Sequence, residues 1–149
     1  MSEDDYEQRL EQLKEKAKQG FSKDPTVIVA YVFGSVARRE VSQRSDMDLA
    51  VYLAPSLDND QRLQKRLDLI GQLQGPWRSS PFVDLVVLND APLFLKFNVI
   101  REGEILVCQN EWTRIHFEAR VMSQFYDEQY YFGRHADLAI ARIAREGIL

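Results

Sequence analysis

The chain has 149 residues, 45% of them hydrophobic, and a formal net charge of −4. This composition provides enough material for a full core, so we expect one compact domain over residues 1–149. The acidic balance argues against direct DNA binding, which would need a basic face. A single cysteine, Cys108, excludes an internal disulfide. The acidic start is unlike a signal peptide and no apolar run is long enough to span a membrane, so we expect a cytoplasmic protein.

The first predicted elements are a helix over residues 3–19 and a buried strand over residues 27–33. The helix has one apolar stripe at helical spacing, made of Tyr6, Leu10, Leu13 and Ala17. Gly20 is expected to end it. The apolar, β-branched run VIVAYVF predicts a strand with little exposed face.

A turn and a second strand carry the residues with the most chemistry. Gly34 lets the backbone bend sharply and leaves no Cβ where a ligand could approach. Ser35 is a favourable N-cap, and free amides at a helix N-terminus bind anions. Asp46 and Asp48 flank Met47 on the second strand, so both carboxylates should project from one face while Met47 faces the core.

A second amphipathic helix is predicted up to Gln74, followed by a third strand over residues 82–88. The helix is expected to bury Leu63, Leu67, Ile70 and Leu73 and to leave Arg62, Lys65 and Arg66 in solvent. In the strand, Asp84 alternates with apolar residues, and a buried acid is costly unless it is paired or binds metal. If this strand lies beside the second, Asp84 falls near Asp46 and Asp48.

The last third of the chain is predicted to be mostly helical. A helix should begin at Pro92, capped by Asn89-Asp90, bury Phe94 among others and end at Gly103, before an edge strand over residues 105–108. From Glu111 a helical face is expected: Trp112, Ile115, Ala119, Met122 and Phe125 or Tyr126. The aromatic stretch FYDEQYYF (125–132) indicates either a partner surface or a cap on the core. Gly133 is expected to kink or break the helix before a last one from Leu138.

Two carboxylates facing a hydroxyl and free amides suit a magnesium triphosphate, because Mg²⁺ takes hard oxygen ligands. The alternative is that Gly34 is a plain turn, Ser35 a cap and the aspartates solvated residues at the edge of a loop. His116 and His135 have no partner at a metal-ligand or nucleophile-activating spacing. The chain shows no Ser-His-Asp, zinc or Walker pattern.

Gly34-Ser35, ten residues, Asp46-x-Asp48 and a later strand aspartate form a pattern that resembles the polymerase-β-type nucleotidyltransferase superfamily. More narrowly, the chain resembles the MntA-type minimal nucleotidyltransferases, adenylyltransferase antitoxins paired with HEPN-domain toxins. The similarity extends through VDLVVLNDAPLFLKFNVIREGEILVCQNE and the following R-x-x-F-E-x-R. Where that family reads Ala-Arg-Gly after the Gly-Ser turn, this chain has Ala37-Arg38-Arg39, which leaves open which arginine meets phosphate.

The resemblance implies an α/β fold, a small mixed sheet flanked by helices, with a helical C-terminal extension over about residues 111–149. It implies that Asp46, Asp48 and Asp84 are catalytic and bind Mg²⁺. Gly34, Ser35 and Arg38 would bind the nucleotide, ATP. The implied reaction transfers AMP to a tyrosine of a cognate HEPN RNase toxin and so neutralises it. The alternatives are a small-molecule, aminoglycoside-like nucleotidyltransferase and a non-catalytic antitoxin that acts by stoichiometric binding.

Overall fold

A computed structural model of the protein describes residues 2–34, 46–75 and 82–146, and these form a four-stranded sheet with helices on both faces. The elements are α1 (Glu3–Ser22), β1 (Val27–Phe33), β2 (Met47–Leu53), α2 (Asn59–Gln74), β3 (Val83–Val87), a 3₁₀ turn (Leu88–Asp90), α3 (Leu93–Glu102), β4 (Glu104–Cys108) and α4 (Glu111–Glu146).

The strand order in the sheet is β3-β2-β1-β4. β1 runs antiparallel to β2 and to β4, whereas β2 and β3 are parallel. The predicted mixed sheet and the edge position of β4 are therefore confirmed. The antiparallel neighbours β1 and β2 also bring the start of β2 next to the end of β1, where Gly34 follows.

Each face of the sheet has its own core, as the alternation of side chains along a strand requires. On one face, α1 and α2 cover Met47, Leu49, Val51 and Leu53 of β2. On the other face, α3 and α4 cover Ala50 and Tyr52. The predicted faces of β3 are also confirmed, since Val83, Leu85 and Val87 pack on the first core and Val86 on the second.

Helix α1 continues past Gly20, so the predicted stop at this glycine is wrong. Phe21 lies in the last turn and is buried in the core under the sheet. Gly20 lies against α2, where an added Cβ would stand 3.7 Å from the Gln72 side chain. Tertiary packing of Phe21 thus outweighs the tendency of glycine to end a helix.

Helix α2 ends at Gln74 as predicted, with Gly75 at φ +67°, and its predicted buried face is confirmed in part. Leu73 is buried and Ile70 packs on the first core as predicted, whereas Leu63 and Leu67 are exposed and Leu69 is buried instead. The three basic residues predicted to face solvent are engaged instead. Arg62 pairs with Asp90 at 2.9 Å, Lys65 pairs with Asp24 at 2.9 Å, and Arg66 Nε donates to Leu85 O at 2.8 Å.

Asn89 does not cap α3, contrary to the prediction. Its side-chain amide accepts from Leu53 N and donates to Leu53 O, both at 2.9 Å, and so joins the end of β2 to the turn after β3. Helix α3 begins after Pro92, without a side-chain cap, and ends at Gly103 as expected. Phe94, predicted to be in the core, is exposed.

Helix α4 is continuous through Gly133, so the predicted break is wrong. It buries Phe117 and Val121, while Trp112 (71% exposed), Ile115 and Met122 of the predicted face stand in solvent. The buried face is selected by ring stacking, with Phe117 on Tyr52 at 4.0 Å and Phe125 on Phe97 at 3.7 Å between centroids. Among the residues that the structure describes, no helix is both long and apolar enough to cross a membrane.

Candidate functional site

Two of the three predicted acids lie side by side at one end of the sheet. In the parallel pairing of β2 and β3, Asp48 is in register with Asp84. Both belong to the face that carries Tyr52 and Val86, because side chains two apart on a strand share a face. Adjacent strands lie about 4.8 Å apart, so the two carboxylates project as neighbours. The expectation that Asp84 lies near Asp48 is confirmed in register and in face.

Several contacts hold β3 in the register that makes this pair. Met47 N donates to Phe82 O at 2.8 Å, and Val83 N donates to the side chain of Gln74 at 3.1 Å. On the outer edge of β3, the Arg66 guanidinium donates a hydrogen bond to Leu85 O. A slip of one residue would turn Asp84 to the opposite face and into the first core. These bonds therefore position the acid as well as the strand.

Gly34 follows β1 directly beside Asp48. Its φ is +70°, a left-handed conformation that favours glycine. A Cβ built on Gly34 would overlap the carboxylate of Asp48. Phe33, the preceding residue, is the register partner of Asp48 on β1. The Asp48 carboxylate therefore occupies the space that a side chain at position 34 would need.

The remaining predicted site residues are placed less closely or fall outside the described ranges. Asp46 is exposed and lies one residue before β2, which begins at Met47 rather than at Asp46. Met47 is fully buried, as predicted. Ser35 and Arg38 lie in the segment 35–45, outside the described residues, so their nucleotide-binding roles stay predictions.

The donor chemistry of this end of the sheet fits a hard divalent cation, since the carboxylate oxygens of Asp48 and Asp84 lie on neighbouring strands there. In residues 2–34, 46–75 and 82–146, no three His, Cys, Asp or Glu side chains are arranged as a group that could hold a metal ion. Metal binding by Asp46, Asp48 and Asp84 therefore stays a prediction, and the pair Asp48 and Asp84 is its structural basis.

A partly buried polar network on the same sheet face was not predicted. Tyr31 Oη donates to Glu118 at 2.6 Å, and Arg114 donates to Glu118 at 2.9 Å and to Glu111 at 2.6 Å. Burial, and then the bond to Glu118, raises the pKa of Tyr31, so the phenol stays protonated. The two glutamates raise the pKa of Arg114. The network seats the start of α4 on the sheet face that carries Asp48.

The sequence indicates only part of this network. Arg114 and Glu118 are four residues apart in a helix, which indicates an ion pair but not its burial. Tyr31 in the middle of an apolar strand was the second sign. Cys108 lies next to the network; burial first, then its bond to Glu111, raises the pKa of the thiol, which is consistent with an unreactive side chain.

The fold has clear relatives among solved structures. A toxin–antitoxin crystal structure with AMP-PNP is 26% identical and has a TM-score of 0.62, covering 87% of this chain and 98% of that one. A MntA–HepT toxin–antitoxin structure is 26% identical with a TM-score of 0.58, over the same shares. A tri-AMPylated Shewanella oneidensis HEPN toxin in complex with its MNT antitoxin matches at 24% identity and a TM-score of 0.57, covering 85% and 98% of the chains, and shows the fold alone.

No significant match was found among curated protein sequences. The family model described as polymerase beta nucleotidyltransferase matches residues 15–112, which is more than half of the chain and includes Gly34, Asp48 and Asp84. The match covers all four strands of the sheet and the helices α2 and α3. On that evidence the chain belongs to the polymerase beta nucleotidyltransferase family.

Proposed function

We propose that this protein is the antitoxin of a toxin–antitoxin pair and that it transfers AMP from ATP to a tyrosine of a cognate HEPN-domain RNase toxin in the cytoplasm, which neutralises the toxin. The observation that carries the proposal is the register pairing of Asp48 with Asp84 on one face of the sheet, beside the Gly34 turn. Paired carboxylates beside a glycine that has no Cβ are suited to positioning a nucleoside triphosphate for transfer.

The similar structures support the choice of nucleotide and partner. Each 26%-identical structure reported above is a toxin–antitoxin complex, and one contains AMP-PNP, an analogue of ATP. This chain covers 98% of both antitoxin-fold chains, so the comparison involves their whole domain. The resemblance of the motif residues to MntA-type antitoxins supports the same acceptor class, a toxin tyrosine.

In the proposed reaction, the residues of this chain bind and orient the two substrates. Backbone amides at Gly34 and Ser35, the Ser35 hydroxyl and Arg38 bind the triphosphate. The acceptor oxygen bonds to the α-phosphorus, the bond from that phosphorus to the pyrophosphate oxygen breaks, and the acceptor proton passes to Asp84. Asp46, Asp48 and Asp84 would hold Mg²⁺, which neutralises phosphate charge and makes the acceptor hydroxyl more acidic.

The test mixes the protein with ATP, magnesium and the product of the neighbouring gene, and measures the intact mass of both proteins. We expect the partner to gain one or more AMP units. Asp48→Asn and Asp84→Asn should abolish the gain, whereas Asp127→Asn, an exposed aspartate on α4, should not change it. Normal labelling by Asp48→Asn and Asp84→Asn would refute the assigned site.

The same experiment distinguishes the two alternatives. Labelling of an added aminoglycoside, with the partner protein unmodified, would assign a small-molecule acceptor instead. If Asp48→Asn still neutralised the toxin and bound it as tightly as the wild type, neutralisation would be stoichiometric rather than enzymatic. Because the assay measures labelling and binding separately, each result identifies one function.

A further inference from the structure

The second half of α4 extends away from the body of the protein. The helix spans residues 111–146, yet its buried side chains are Phe117 and Val121. After Phe125, which stacks on Phe97, every residue to 146 is exposed except the half-buried Ile143. This distal segment, residues 126–146, is about 30 Å long at 1.5 Å per residue.

The distal segment carries a stripe of apolar and small residues, with one glutamine, that continues the face of Val121 and Phe125. Its members follow in steps of four and three residues, at Gln129, Phe132, Ala136, Ala139 and Ile143. Steps of this kind place side chains on one seam of a helix and are typical of helix pairs. Phe132 is 63% exposed, so the seam has no partner within the described chain at that position.

We propose that this stripe pairs with the same stripe of a second copy of the protein, with the two helices antiparallel. The two-fold axis then lies between positions 132 and 136. In this register, Phe132 packs on Ala136 of the second copy and Gln129 packs on Ala139 of the second copy. Large side chains thereby meet small ones, which lets the two helix axes approach closely. By the two-fold symmetry, each of these contacts occurs twice.

Charged residues beside the stripe select this partner and direction. Glu128, His135 and Arg142 recur every seven residues along one side of the seam. An antiparallel second copy places Glu128 beside Arg142, twice, whereas a parallel copy would place Glu128 beside Gly133. Arg142 is otherwise engaged in an exposed ion pair with Glu146 at 3.4 Å. On the other side of the seam, Tyr126 meets Ile140 of the second copy, and both side chains are exposed in one chain.

The contact is modest in size, which determines how the dimer should behave. A strip as wide as a helix, about 12 Å, along about 30 Å of each helix buries roughly 700 Å² in total. That area lies at the low end for specific interfaces, where association is weak and reversible. We therefore expect a monomer–dimer equilibrium in the micromolar range rather than a permanent dimer.

Sedimentation velocity of the full chain between about 1 and 200 µM tests the proposal. We expect the sedimentation coefficient to rise from that of a monomer towards that of a dimer. Phe132→Glu should weaken association more than about tenfold, because it places two carboxylates in the seam. Tyr131→Glu is the matched control, since Tyr131 is 58% exposed but points off the seam, and it should leave association unchanged.

A charge exchange tests both the antiparallel direction of the helices and the identity of the partner as a second copy of the chain. Glu128→Arg and Arg142→Glu should each weaken association about fivefold, and the double variant should restore it, because opposite charges face each other again. A monomer at every concentration, or no restoration in the double variant, would overturn the proposal. It would also be overturned if Phe132→Glu abolished binding of the toxin but left self-association unchanged. Circular dichroism confirms that each variant keeps its helix.

Discussion

Asp48 on β2 and Asp84 on β3 lie in register on neighbouring parallel strands and belong to the same face of the sheet. Like charges directly opposite on one sheet face repel, which costs stability unless a cation or another group lies between them. Asp84 is exposed, so the expectation of a costly buried acid in this strand is wrong, and nothing in the packing of β3 requires an acid at this position. A cost of this kind is expected at a site that works on a charged ligand.

The first prediction concerns this repulsion. Asp84→Asn should raise the melting temperature of the metal-free protein by about 1–4 °C, since relief of a like-charge pair is worth about 0.2–1 kcal/mol. Added magnesium should stabilise the wild type more than the variant. Differential scanning calorimetry at low ionic strength measures both effects, with Asp127→Asn as the control. An unchanged or lower melting temperature in Asp84→Asn would show that the two carboxylates do not repel.

The second prediction concerns the turn. Gly34→Ala should abolish nucleotide transfer, because a Cβ at φ +70° is strained and would displace the Asp48 carboxylate. Gly71→Ala is the matched control, because its Cβ would meet nothing within 4 Å on α2. That variant should keep full activity and gain about 0.5–1 kcal/mol of stability. Measured AMP transfer and thermal unfolding of both variants check the prediction, and normal transfer by Gly34→Ala would contradict it.

The third prediction concerns the network under α4. Tyr31→Phe should lower the free energy of unfolding by about 1–3 kcal/mol at pH 7, since it removes a partly buried hydrogen bond to Glu118. Tyr126→Phe, at an exposed position, should change it by less than about 0.5 kcal/mol. Urea unfolding followed by circular dichroism gives both values.

The raised pKa of Tyr31 adds a pH test to the same pair of variants. The stabilisation is fully present below the unfolded pKa of about 10 and is lost as pH rises towards the folded value. The wild type should therefore lose stability more steeply than Tyr31→Phe above about pH 10. Equal slopes would show that Tyr31 ionises as readily in the folded chain as in the unfolded one.

The fourth prediction concerns Asp24, which links α1 to α2. Burial disfavours its charge, but hydrogen bonds from Thr26 at 2.6 and 3.0 Å and the Lys65 ion pair outweigh burial and lower its pKa. Its stabilisation is therefore present above about pH 4 and is lost as pH falls through the folded pKa. Asp24→Asn should cost about 1–2 kcal/mol at pH 7, and less and less below pH 4.

Chemical unfolding between about pH 2.5 and 7 measures the Asp24 contribution. Thr26→Val serves as the companion variant, because it removes one of the three interactions with the carboxylate. It should show a smaller loss with the same pH trend. A difference between wild type and Asp24→Asn that stays constant down to the lowest pH would contradict the lowered pKa.

Local sequence patterns predicted the strands and the faces of β3, because a period of two in an extended chain sets which side chains share a face. They also predicted a residue that tolerates positive φ directly after the first strand, and Gly34 has a φ of +70°. The helix faces were predicted less well. Leu63, Leu67 and Trp112 satisfy a helical period but are exposed, because periodicity does not specify which of two neighbouring stripes meets the sheet.

The amino-acid sequence by itself determined which residues can share a face, that Asp84 sits within an apolar strand, and where the chain must bend. Only the tertiary structure decided that Asp84 stands opposite Asp48 and that Tyr31 meets Glu118, 87 positions further along the chain. The reason is that strand register and helix docking depend on contacts between distant segments, such as Arg66 on Leu85 O and Asn89 on Leu53. Such contacts produce no periodic pattern in the sequence from which they could be predicted.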